Sequence, residues 1–178
     1  MPGLEDEGFS KSVVYMCEHT ERGALGLVIN KPSDINLKKL FDKVELPLDR
    51  SDLADALVFQ GGPVQTERGF VLHESMMPGL EAVYASTMSI PGGLEMTTSK
   101  DVLEALSSGN GPKKVFVSLG YSAWGEGQLE SEISDTSWLT VAADIAVIFD
   151  TPVEERYAKA MGLLGLESWM LSPDAGHA

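Results

Sequence analysis

The stretch KKVFVSLGYSAWGEGQLESEI, residues 113–133, decides the fold class. Its first part, KKVFVSLG, is an apolar run with β-branched residues and the length of one buried strand. Its last part puts Leu129 and Ile133 at i and i+4, so one face of a short helix turns inward while Glu130 and Glu132 face water or cap backbone groups. Between them GYSAWGEG carries Gly120, Gly125 and Gly127 with two large aromatics, Tyr121 and Trp124. The expected order is strand, turn, helix, and three chemistries compete for the turn.

A nucleophile elbow reads G-x-S-x-G, because small neighbours permit the strained turn that pushes the serine hydroxyl out at the end of a strand. Gly120-Tyr121-Ser122-Ala123 begins that pattern, but the fifth position is Trp124 and the glycine arrives one residue late. The histidine downstream of Ser122 is His177, penultimate in the chain. A phosphate cradle needs backbone N–H groups at a helix start, which Gly125-Glu126-Gly127 could supply. No G-K-[ST] follows, and Glu126, Glu130 and Glu132 repel an anion. GGP (61–63) and PGG (91–93) lack the strand-to-helix context of such loops. Packing asks less: the glycines allow a tight turn and a close helix, while Tyr121 and Trp124 offer apolar area with a polar tip. The same density of special residues suits a shaped surface that receives a partner.

Outward from this stretch the pattern is of hairpins. SVVYMCEH (12–19) alternates as a strand, ERG (21–23) supplies a turn and ALGLVIN (24–30) reads as the second arm. Asp34 or Asn36 caps a helix with Leu37, Leu40, Phe41 and Val44 on one face. ALVFQGGPV (56–64), RGFVLHES (68–75) and EAVYAST (81–87) read as strands. Thr98 and Asp101 resemble a capping box for DVLEALSS, which Gly109 stops. SWLTVAADIAVIF (137–149) reads as one or two strands. Thr151 at N-cap, Pro152 and Glu154 open a last helix with Val153, Tyr157, Met161 and Leu164 on one face, and the tail from about 172 is expected to fray. Hairpins with interspersed helices make the class α+β, mostly antiparallel, in a single domain spanning 1–178.

Composition narrows the function. A chain of 178 residues with 43% hydrophobic and 22% charged side chains can build one good core. No apolar run approaches the 18 or so residues of a membrane span, and the acidic start MPGLEDEGF is unlike a secretory signal. One cysteine, Cys17, suits a reducing compartment, so the expected location is the cytoplasm. A net charge of −14 opposes direct binding to nucleic acid or anionic membranes. Three histidines at 19, 73 and 177 show no zinc spacing, the carboxylates form no calcium loop, and no cofactor is expected. Cys17 and His19 share one face of an ideal strand, but about 7 Å apart, too far for a thiolate and imidazole pair unless rotamers converge.

Taken in order, SVVYMCEH, GALGLVINKP, VFQGGPV, GFVLHE, GYSAWGEGQLESEI with Trp138, and IFDTPVEERYAKAMGLLG make the chain similar to the YqgE/AlgH family of bacterial cytosolic proteins over nearly its whole length. The resemblance implies an α/β sandwich of complex topology with mixed or bifurcated sheets and several short helices, and it brings no assigned catalytic activity. Some members are described as regulators of alginate or other gene expression. Family members usually begin with an apolar strand resembling NHFLIAMP, whereas this chain starts Met1-Pro2, and Glu7 stands where a proline is usual. The expectation is either a strand-sized gap beside a sheet or a true start that lies upstream, together with a looser N-terminal turn. The family motif accepts alanine at Ser122. The residues carried over are Asn30, Gly61, Gly62, Pro63, Gly120, Trp124, Gly125, Gly127, Gln128, Leu129, Glu130 and Trp138, with Tyr121 beside them. Together they are expected to frame a shallow cleft that contacts an unidentified protein or small ligand without catalysis. The alternative is a hydrolase or transferase using Ser122 or the Cys17 and His19 pair.

Overall fold

The computed structural model describes residues 11–53, 55–75, 84–90 and 93–164. The expectations for the N-terminal turn, for residues 81–83 of EAVYAST and for the tail lie outside them. The described chain is α+β: eight strands in mixed pairing and five short helices. It clusters into two compact units, one from residues up to Lys31 and from Ser122 onward, the other Pro32–Tyr121.

In the first unit, β1 (Val14–Thr20) and β2 (Gly23–Val28) form the expected hairpin. The register slips between Met16 and Glu18, so Cys17 is an extra residue on β1. This bulge resets the alternation: His19 pairs with Ala24 and joins the face of Met16, leaving Cys17 apart from it. The expected shared face for Cys17 and His19 therefore does not form. Against β2 lie the last three residues of β8 (Val115–Trp124), with Ala24 opposite Trp124 and Gly26 opposite Ser122. The expected turn at GYSAW is thus strand, and the turn begins only at Gly125.

Residues 137–144 form no strand, and IAVIF is a helix, α4 (Ile145–Phe149). Two causes favour the helix. The Asp144 side chain accepts from the Ala146 N–H (3.0 Å), and the Thr151 hydroxyl donates to the Ala146 carbonyl (2.9 Å). Thr151 thereby closes α4 instead of capping the last helix. A single 3₁₀ turn, Val153–Glu155, precedes α5 (Arg156–Leu163), whose buried Met161 and half-buried Tyr157 and Leu164 follow the expected stripe.

The second unit holds β3 (Pro32–Asn36), α1 (Leu37–Lys43), β4 (Leu57–Gln60), β5 (Val64–Glu74), β6 (Thr87–Ile90), β7 (Leu94–Thr97), α2 (Lys100–Ser107) and the first part of β8. Asn36, not Asp34, caps α1, its Oδ1 accepting from the Lys39 N–H at 2.9 Å. Ser99 rather than Thr98 stands at the N-cap of α2. GGP ends β4 at Gln60, and residues 84–86 are bends before β6. Among the described residues every strand pair is antiparallel except β4 with β8, whose long connection lets them run parallel. Leu37, Phe41, Val58, Val71, Val102, Leu106 and Val117 pack as its core.

Candidate functional site

The segment after β8 is built around one reciprocal contact. Gly127 sits in the left-handed region (φ 71°), where a side chain is strained, and lets the chain enter α3 (Gln128–Ser134). The Gln128 backbone N–H donates to the Gly125 carbonyl (3.1 Å), while the Gly125 N–H donates to Gln128 Oε1 (3.0 Å). Gly125, Gly127 and Gln128 thus shape the entry to the helix.

That geometry turns Leu129 and Ile133 onto the face that carries Val14, Met16 and Ala24 of the hairpin and Trp124 of β8. Trp138, just past the helix, meets Trp124 edge to face with ring centroids 5.8 Å apart at 75°. Its indole N–H donates to Glu132 Oε1 (3.2 Å), whereas Glu132 Oε2 is buried without a hydrogen-bond partner among the described residues. These side chains do not close up completely. A cavity of about 160 Å³ remains, floored by Val14, Met16 and Trp124, walled by Leu129 and Ile133, and covered by residues 138–141 and by Tyr157, Met161 and Leu164. Its described lining has no charged side chain, and Val141 at its edge is 39% exposed. Such a space can sequester an apolar group and offers little to polarise a bond.

The other expected site residues lie elsewhere in the two units. Asn30 accepts from the Val13 N–H (2.9 Å) and donates to the Lys11 carbonyl (2.8 Å), holding the start of the described chain. Glu130 pairs with His19 at 2.5 Å across the outside of α3, and the histidine holds its carboxyl below the ordinary carboxylate range. In the second unit, the Gly61 N–H donates to the Leu119 carbonyl (3.0 Å), and a Cβ on Gly61 would run into the Gly120 carbonyl. Gly62 and Pro63 follow beside it, and Tyr121 stands edge-on to Phe70 at 5.4 Å. GGP and Gly120 are therefore packed backbone to backbone.

Of the residues considered for catalysis, Ser122 and Cys17 are buried and His19 is exposed. Ser122 lies inside β8 at 1% exposure. Cys17 is 3% exposed, and burial pushes its thiol up to about 12. His19 turns to Glu130 instead. Among the described residues no three or more His, Cys, Asp or Glu converge to hold a metal ion, and no helix is long and apolar enough to cross a membrane. Sequence reasoning missed Val14, Met16 and residues 139–141 as neighbours of Trp124. The helical spacing of Leu129 with Ile133 and of Tyr157 with Met161 was visible, but not that both stripes face one space.

A family model described as AlgH-like matches residues 1–169. A UPF0301 protein from Polaromonas sp. (strain JS666 / ATCC BAA-500) is 86% identical over 178 residues, covering 100% of this chain and 91% of the relative. One from Variovorax paradoxus (strain S110) is 74% identical, covering 100% and 92%. The solution structure of the AlgH protein from Pseudomonas aeruginosa superposes with a TM-score of 0.77 at 47% identity, covering 100% of this chain and 92% of that one. A crystal structure of protein DIP2367 from Corynebacterium diphtheriae shares the fold at TM-score 0.69 and 20% identity, covering 90% and 81%. With the hairpin, the β8 to α3 connection and the tryptophan pair on the same chain, these matches make it a member of the AlgH-like, UPF0301 family.

Proposed function

We propose that this chain is a non-enzymatic binding module of the cytoplasm, regulatory in effect, that takes up an apolar group in the cavity beside Trp124 and Trp138. The cavity carries this reading: about 160 Å³ of space without a charged described lining residue, to which Trp124, Leu129 and Trp138 of the motif contribute. A buried Ser122 and a thiol held protonated speak against the hydrolase alternative. Any influence on transcription is indirect, because a net charge of −14 repels DNA.

The test uses xenon, which enters apolar cavities of this size without polar contacts. Under xenon pressure the methyl resonances of Met16, Met161 and Leu129 should shift in the full-length protein. Ala160→Leu, which extends a good helix former into the same space, should abolish those shifts with the fold retained. Xenon shifts absent from these methyls would remove the cavity as a binding site, and labelling of Ser122 or Cys17 by an acylating probe in the native protein would restore the enzyme reading.

A further inference from the structure

We infer that the cavity is a site for one uncharged aromatic ring, borne by a small free molecule. The inference rests on the binding-module reading and adds a ligand class to it. Size comes first: an engineered apolar cavity of about 150 Å³ takes up a single benzene ring. The present space, about 160 Å³ and partly open to solvent, has the room of one such ring.

Charge comes next. None of the described lining residues is charged, so no cation waits to neutralise a carboxylate or phosphate. An anion entering there would lose its water for nothing in return. Beside Trp138 stands the Glu132 carboxyl, its Oε1 accepting from the indole N–H, which adds no positive group. An anionic ligand is therefore disfavoured.

Shape and polarisability then separate aromatic from saturated rings. Trp124 and Trp138 already meet edge to face, an arrangement that a third ring can extend. Met16 and Met161 bring two thioethers to the same space, and sulfur packs favourably against ring edges. A saturated ring of equal size meets the same walls without these contacts. The lining also argues against an aromatic side chain of a partner. A peptide backbone drawn to the mouth would carry N–H and C=O groups to a wall dominated by hydrocarbon, where most would go unpaired.

The test is a matched set of probes, phenol, cyclohexanol, benzoate and N-acetylphenylalaninamide, titrated into the full-length protein carrying labelled methionine methyls and tryptophan indoles. Phenol should shift Met16, Met161 and the indole N–H groups of Trp124 and Trp138 saturably. Cyclohexanol should bind about two- to tenfold more weakly. Benzoate should bind at least about tenfold more weakly. Cyclohexanol or benzoate binding as tightly as phenol would overturn the ring or the charge assignment, and tighter binding of N-acetylphenylalaninamide would overturn the free-molecule source. Xenon shifts without phenol shifts would sink the ligand class and leave the cavity as a binding site. Silence from both probes would sink the two readings together.

Discussion

Replacing Trp124 by alanine tests the packing on which the cavity stands. The side chain is 6% exposed, at the end of β8, opposite Ala24 and against Trp138. A tryptophan buries roughly 150–250 Å², which at about 25 cal/mol per Å² is about 4–6 kcal/mol of transfer free energy. Alanine keeps part of that, and Trp→Ala changes in cores cost about 3–5 kcal/mol. Removing the indole enlarges the space already unfilled beside it. The expected loss is therefore about 4 kcal/mol, a large share of the 5–15 kcal/mol that holds most domains folded. Urea unfolding followed by far-ultraviolet circular dichroism measures it, with an unchanged m-value showing that only stability has moved. Trp138→Ala and the double variant complete a cycle whose coupling should be about 0.5–1.5 kcal/mol, the worth of an edge-to-face pair. A loss below about 1 kcal/mol at the wild-type m-value would mean that the indole is not core, and the cavity floor described above would be wrong.

Three further outcomes follow from single positions. Gly120 (φ 75°) has the Gly62 carbonyl where a Cβ would go, whereas Gly127 (φ 71°) has open space. Gly120→Ala should lower stability by about 3 kcal/mol or more and Gly127→Ala by about 1 kcal/mol, read by the same unfolding assay. Cys17, with its thiol near 12, should resist iodoacetamide in the native protein from pH 7 to 9 and react fully in urea. Because this pKa is raised, its contribution is complete below the unfolded thiol value and is lost as pH climbs through the folded one, so the alkaline limb of the stability curve should flatten in Cys17→Ala. Glu130 has the opposite sign: its pKa is lowered by His19, so its contribution is present above pH 4.5 and disappears as pH falls through the lowered value. Glu130→Gln should flatten the acid limb of the stability curve, and an unaltered limb would show that the pair is idle in solution.

Much of the chain's local structure was written in its own pattern. Alternation gave the β1 and β2 hairpin, Asn36 before Leu37, Leu40 and Phe41 gave a capped helix, and Leu129 with Ile133 gave the inward face of α3. Where a pattern was short it misled. IAVIF is as apolar as a strand, yet one buried side needs only Val147 and Ile148, and the Asp144 and Thr151 side chains supply the helix ends. A run of that length has no period long enough to tell the two apart. The α+β class, the family and the special character of residues 120–138 were determined by the sequence alone, because propensity, capping and motif order are properties of neighbours. The bulge at Cys17 and the gathering of Met16, Trp124, Trp138 and Met161 around one space were decided by the tertiary structure. Both depend on strand register and on which helix face meets which sheet face, and these are settled only when distant segments compete for the same apolar surface.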